Sequence, residues 1–157
     1  MISSIRERFD STFFMFTCLD YIIIRTDMIT PEHNMAGWFE IPVTNMERAI
    51  HFYENVLDIS LSRNPMGPLD MAWFPYIETS IGSGGSLVYH PDFYKPSPDG
   101  VLIYLTSPSG NIDAELRRVE ANGGKVVVPR KLIAEGFGYM GAFIDSEGNR
   151  VALHSNL

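Results

Sequence analysis

The feature that most constrains the fold is an architectural repeat between residues 37 and 157. Each half of this segment has the same order of predicted elements: one strand, one helix and three further strands. Gly37 and Gly100 open the two copies, which are offset by about 63 residues. Residue identity between the copies is low, so the pattern predicts a duplicated architecture built from different side chains.

The first copy opens with a predicted strand at 38–43, where apolar residues alternate with Trp38 and Glu40. Pro42 would remove a ladder hydrogen bond, so it belongs near the end of this strand. Asn45 is the predicted N-cap of the helix that follows. The apolar stripe of that helix consists of Ala49, Phe52, Tyr53, Val56 and Leu57. The three short strands predicted next cover residues 59–63, 70–77 and 86–90.

The second copy repeats this order. Its first strand is predicted at 101–106, and either Ser109 or Asn111 can cap the next helix. The sequence Asn-Gly-Gly at 122–124 is typical of a left-handed helix end. The inward face of the helix carries Ile112, Leu116 and Val119. The last three strands are predicted at 125–133, 138–145 and 149–154.

Composition excludes several classes of partner. Twelve basic residues against nineteen acidic ones give a net charge of −7, whereas nucleic acids and anionic membranes need a concentrated positive surface. The single cysteine, Cys18, cannot form an intramolecular disulfide, which indicates a reducing, cytoplasmic setting. We therefore expect a small-molecule ligand, and neither nucleic acid nor membrane as a partner.

Residues 1–34 differ from the repeat. Basic residues precede an apolar run at 13–24, which Asp20 interrupts. This run is too short to span a bilayer, and no A-x-A cleavage site follows it. We expect an extension outside the domain, and the alternative is a true start at Met28 or Met35.

Several ordered motifs resemble a known family. They are residues 38–43 followed by 49–57, the Asn-Gly-Gly at 122–124, and residues 143–151, where Asp-Ser-Glu-Gly-Asn is similar to a D-P-D-G-N hairpin. Together they resemble the vicinal-oxygen-chelate superfamily, which includes glyoxalase I, bleomycin- and fosfomycin-resistance proteins and ring-cleaving dioxygenases. The resemblance covers residues 36–156.

This resemblance implies an α+β domain at residues 35–157. It would consist of two βαβββ modules, 37–97 and 98–157, whose curved mixed sheets form around a cavity. In such proteins the cavity is often completed in a dimer, so the resemblance also implies a homodimer.

The resemblance also allows a test of the metal site. In metal-dependent members the ligands come from the first and last strand of each module, and by position they fall here on Trp38, on Ser86 or Leu87, on Val101 and on Ala152. None of these side chains is a carboxylate or an imidazole, which such a site requires. We therefore predict no metal and no other cofactor.

Two ionisable residues, Glu40 and His154, each follow a ligand position by two residues. Because strand side chains alternate with a period of two, both should point into the cavity. Together they could act as general base and general acid, although a lone cavity histidine is more often only hydrogen-bonded. Residues 135–141 are interpreted as a turn over the cavity mouth or as a plain hairpin turn.

Four aromatic residues are candidates for binding a ligand, although aromatic residues in strands more often belong to the core. These candidates are Trp38, Trp73, Tyr89 and Tyr139.

Three functions follow from these patterns. The first is a glyoxalase/bleomycin-resistance-like protein that binds a small apolar or aromatic molecule in a metal-free cavity. The alternative is a metal-independent lyase or isomerase that acts on a small carbonyl compound through Glu40 and His154. A metal-dependent enzyme similar to lactoylglutathione lyase is a second alternative, which the residues at the ligand positions disfavour.

Overall fold

In the computed structural model the described residues, 34–156, form two modules with the same order of elements. The first consists of β1 (Trp38–Pro42), α1 (Met46–Leu57), β2 (Ser62–Arg63), β3 (Asp70–Trp73) and β4 (Gly84–Tyr89). The second consists of β5 (Ile103–Thr106), α2 (Ile112–Ala121), β6 (Lys125–Leu132), β7 (Tyr139–Ile144) and β8 (Arg150–Ser155). The predictions for residues 1–33, including the alternative start at Met28, lie outside the described residues.

Each module contributes one four-stranded mixed sheet, with the orders β1-β4-β3-β2 and β5-β8-β7-β6. The first and last strands of each module, β1 with β4 and β5 with β8, pair in parallel, and the other neighbours pair antiparallel. The predicted α+β fold with two βαβββ modules is therefore confirmed.

The helix boundaries follow the predicted capping residues. The side chain of Asn45 accepts a hydrogen bond from the Arg48 amide, and that of Asn111, not Ser109, accepts one from Ala114. All residues of the two predicted apolar stripes are buried. At the end of α2, Gly123 has a φ of 90°, the left-handed conformation that glycine adopts without strain.

Two strands are shorter than predicted by three or more residues, whereas the others differ from their predicted bounds by at most two residues at either end. The strand expected at 59–63 is reduced to β2, because the amides of Ile59 and Leu61 donate to the backbone and side chain of Glu54 at the end of α1. The strand expected at 70–77 ends at Trp73, two residues before Pro75, which has no amide proton to continue a ladder.

The helix-covered faces of both sheets contribute to one hydrophobic core. Phe52 of α1 and Phe143 of β7 meet across the module boundary, with ring centroids 5.7 Å apart. Alternate residues of each strand point the other way. Each sheet thus has an outer face, the face without helices, which points away from the shared core. The two sheets do not close into a barrel, so the cavity that the resemblance implies is open in the single chain.

Candidate ligand site on the outer face of the first sheet

Strand register places four of the functional candidates on one face. Ser86, in the central strand β4, pairs with Glu40 of β1 on one side and with Trp73 of β3 on the other. One step along, Gly84 pairs with Trp38. Residues that pair across a sheet, and those two apart along a strand, share a face. Trp38, Glu40, Ser86 and Trp73 therefore lie together on the outer face of the first sheet.

The two indoles meet above β4. The ring centroids of Trp38 and Trp73 are 5.6 Å apart and the ring planes are inclined at 74°. They remain partly open to solvent, with 43% of Trp38 and 38% of Trp73 exposed. A Cβ atom on Gly84 would lie 2.8 Å from Cζ3 of Trp38, so only glycine lets this indole lie across the strand. The pair forms a corner with two aromatic faces.

Glu40 has a partner that the sequence did not indicate. Tyr94, in the linker between the modules, donates a hydrogen bond of 2.5 Å from its hydroxyl to Oε2 of Glu40. This hydrogen bond raises the pKa of the Tyr94 phenol. The stretch 94–100 has the composition of a linker, rich in proline and glycine, so nothing in it indicated that one tyrosine folds back onto β1.

Ser86 is a buried polar group without a partner. The residue has no exposed surface, and its Oγ forms no hydrogen bond with any described residue. A buried hydroxyl left in this state costs about 1–3 kcal/mol. Ser86 lies between Glu40 and Trp73 in the sheet, and its hydroxyl is covered by the side chains above it.

His154 lies on the outer face of the second sheet, where it pairs with Thr106 and Met140. Its Nε2 is 2.9 Å from the carbonyl oxygen of Phe137, in the turn at 135–141 for which the sequence allows either a cover over the cavity mouth or a plain hairpin. Within the described part of the chain, no hydrogen bond or ion pair joins His154 to Glu40. The structure thus places the two residues on different sheets, and their acid–base pairing stays a prediction.

The two candidate tyrosines lie elsewhere. Tyr89 is next to Val88 in β4 and therefore points to the face opposite that of Ser86. Tyr139 packs against the shared core, and the guanidinium carbon of Arg130 lies 3.4 Å from its ring centroid. Of the four aromatic candidates, the structure brings together only Trp38 and Trp73.

A cleft of 460 Å³ lies between the first sheet, the end of α1 and β5; its lining includes Gly84 but neither Trp38 nor Trp73. Tyr76 links the two features, because its Cδ2 lies 3.2 Å from the position that a Cβ of Gly84 would occupy. The volume is within the range of small-molecule sites. The lining includes Phe39, Phe74, Tyr76, Ile81, Tyr104 and Pro108.

The residues at the family's metal-ligand positions do not fit a metal ion. Trp38 and Ser86 are on the outer face of the first sheet, whereas Val101 precedes β5, and the residue that pairs with Ala152 is Tyr104. An indole, a hydroxyl, an isopropyl group and a methyl group do not form a ligand set for a divalent metal. Among residues 34–156, no group of three His, Cys, Asp or Glu side chains is arranged to hold a metal.

No helix within residues 34–156 combines the length and the apolar character that a membrane crossing requires.

The fold and the site place this chain in the class of proteins that consist of two βαβββ modules around one core. Its aromatic and ionisable candidates lie on an outer sheet face. The family model of the Glyoxalase/Bleomycin resistance protein/Dioxygenase superfamily matches residues 35–153. The chain belongs to this superfamily, which confirms the resemblance seen in the sequence.

Solved structures share the fold. A glyoxalase/bleomycin resistance protein/dioxygenase domain from Frankia sp. has a TM-score of 0.59 and 14% identity, over 80% of this chain and 98% of that chain. A hypothetical protein from S. aureus has a TM-score of 0.57 and 22% identity, over 78% and 95%. Glyoxalase I from Zea mays has a TM-score of 0.54 and 18% identity, over 76% of this chain but only 45% of the maize chain.

This chain therefore spans less than half the length of the maize enzyme. At these identities the likeness shows the fold alone. A comparison with curated proteins gave no match.

Proposed function

We propose that the protein binds a small apolar or aromatic molecule without a metal, at the outer face of the first sheet and in the cleft beside it. The observation that carries this proposal is the exposed corner formed by Trp38 and Trp73. The cleft of 460 Å³ meets this corner at Gly84. Such a surface offers aromatic contact area together with a few polar groups, which is the usual composition of small-molecule sites. A cytoplasmic setting is part of the same proposal.

The proposal is tested by a screen of small aromatic and carbonyl compounds with two readouts. Binding raises the melting temperature by mass action. It also changes tryptophan emission, because both tryptophans of the chain lie in the site. The Trp38→Leu variant should lose both responses. The control is Phe137→Leu, which replaces an exposed aromatic side chain in the turn between β6 and β7 and should retain them. If no compound changes either signal, the proposal is wrong.

A metal-independent lyase or isomerase that uses Glu40 and His154 is the second candidate. Both are ionisable residues on outer sheet faces, which makes them available to a substrate. Because they lie on different sheets of one chain, this candidate includes a second copy whose outer face completes the site, as a homodimer. Turnover of a small carbonyl compound should then be lost in both Glu40→Gln and His154→Ala. A monomer in sedimentation that nevertheless turns substrate over, or unchanged rates in both variants, would exclude it.

A further inference from the structure

We infer that the ligand of this site is an organic cation, a quaternary ammonium or protonated amine, held by the indoles of Trp38 and Trp73 and by the carboxylate of Glu40. The inference rests on the proposed function, since it names the chemical class that the same face would accept.

The first support is the arrangement of the indoles. Their planes are inclined at 74° and both rings are partly exposed, so a guest in the corner touches two π faces at once. Tryptophan has the strongest cation–π interaction of the aromatic side chains, and right-angled aromatic walls suit a compact alkylammonium group. A neutral apolar guest gains only the free energy of burying its surface. A cation also gains the cation–π attraction, so the indole pair favours a cation.

The second support is charge. In the described strands, Glu40 is the only charged residue that register places on the outer face of the first sheet. The other outer positions there are Trp38, Pro42, Ser62, Met71, Trp73, Gly84, Ser86 and Val88. The nearest basic residue in this sheet, Arg63, is on the opposite face, where it pairs with Asp70 and with Glu47 of α1. None of these strand positions offers a cation to an anionic ligand.

The third support is spacing. Glu40, Ser86 and Trp73 form one row across three adjacent strands. With about 4.8 Å between strands, the backbone positions of Glu40 and Trp73 are about 10 Å apart. At that spacing one guest of choline's size can contact both the carboxylate and the exposed part of the indole pair.

The carboxylate remains able to pair with a guest. Tyr94 occupies Oε2 of Glu40, and no described residue forms a hydrogen bond with Oε1. A cation can therefore bind at Oε1 while Tyr94 stays in place, and the phenol then fixes the orientation of the carboxylate.

The test compares choline with its uncharged carbon isostere, 3,3-dimethylbutan-1-ol, by calorimetry and by tryptophan emission at matched ionic strength. We expect choline to bind at least tenfold more tightly. Glu40→Gln should lower the affinity for choline at least fivefold and leave the affinity for the isostere unchanged. Glu135→Gln makes the same change in net charge on the second sheet's hairpin and should leave choline binding as it is. Trp73→Leu, which removes the π face, should also weaken choline more than the isostere.

Equal affinities for choline and its isostere, or an unchanged choline affinity in Glu40→Gln, would overturn the inference. If neutral aromatic compounds bind and choline does not, the inference fails and the proposed function stands. If neither class changes melting temperature or emission, both fail.

Discussion

The hydroxyl of Tyr53 donates a hydrogen bond of 2.7 Å to Oδ2 of Asp145, which joins helix α1 of the first module to the β7–β8 hairpin of the second. Asp145 is itself the centre of that hairpin, because it also accepts hydrogen bonds from the amides of Glu147 and Asn149. Burial raises the pKa of Tyr53 well above its usual value, so the phenol stays protonated and remains a donor. The two modules are thus joined by a buried polar contact as well as by the shared core.

Tyr53→Phe should lower the free energy of unfolding by about 1–3 kcal/mol, because it leaves the buried carboxylate of Asp145 with one donor fewer. Urea unfolding followed by circular dichroism measures this. The matched control is Tyr76→Phe, which removes a phenol that is more than half exposed and should change stability very little. Equal effects of the two substitutions would contradict the role given to the Asp145 contact.

Glu147 should make the free energy of unfolding depend on pH in the acidic range. Its side chain is 0% exposed, and its carboxylate bonds the Arg48 guanidinium and the amides of Thr44 and Asn45. Burial by itself raises the pKa of Glu147, but hydrogen bonds from Arg48, Thr44 and Asn45 outweigh it and lower the pKa to about 2. A carboxyl whose native pKa is depressed contributes stability above its unfolded pKa, about 4.3, and loses it as the pH falls toward the native value.

We therefore expect Glu147→Gln to be less stable than the parent by about 1–3 kcal/mol at pH 7, with a difference that shrinks between about pH 5 and pH 2. Denaturant titrations at several pH values give the slope. Glu120→Gln on the exposed side of α2 should leave the slope unchanged. A constant difference across that pH window would show that Glu147 acts through its shape alone.

Gly84→Ala should disturb the indole corner. The added methyl group would meet the Trp38 ring at 2.8 Å, so the indole must leave its position over β4. We expect a shift in tryptophan emission, a loss of stability of about 1–3 kcal/mol and weaker binding of any ligand of this face. Gly100→Ala is the control, because the nearest heavy atom to its Cβ, a backbone oxygen of Ser97, is 3.8 Å away. An unchanged emission spectrum in Gly84→Ala would mean that the corner does not depend on this glycine.

Asp58→Gly should stabilise the protein. Asp58 ends α1 in the left-handed conformation, with a φ of 57°, where a side chain is disfavoured and glycine is not. The expected gain is about 0.5 kcal/mol, measured as a higher urea midpoint. Asp58→Ala keeps a Cβ at the same φ and should bring no gain. A gain from alanine equal to that from glycine would refute the backbone explanation.

Removal of metal ions should have no effect on the folded protein. The residues at the family's ligand positions offer no carboxylate or imidazole, so dialysis against a chelator should leave both melting temperature and ligand affinity unchanged. One equivalent of zinc or nickel in purified protein, with stability lost on chelation, would contradict the metal-free site.

The sequence predicted local structure well and contacts between distant segments poorly. Asn45 and the buried stripe of α1 follow from capping and periodicity, and strand alternation put Trp38 and Glu40 on one face. In contrast, the contact between Tyr94 and Glu40 spans 54 residues and starts from a linker with no periodic pattern.

The same limit applies to how the modules pack. The contact between Phe52 and Phe143 orients the two sheets, and no local propensity encodes it. For this reason the sequence, which assigned Glu40 and His154 to different modules, did not establish whether their side chains meet.

None of the four residues that form the candidate site, Trp38, Glu40, Trp73 and Ser86, belongs to the hydrophobic core that unites the modules. At this sheet face, folding and recognition therefore depend on different side chains in the same strands, whereas the cleft shares Phe39, Leu57 and Phe74 with the core. Substitutions at Trp38, Glu40 or Trp73 that change which ligand binds should therefore change the free energy of unfolding very little. Such a division allows a lineage to acquire new ligands by altering a few outward positions while its architecture persists.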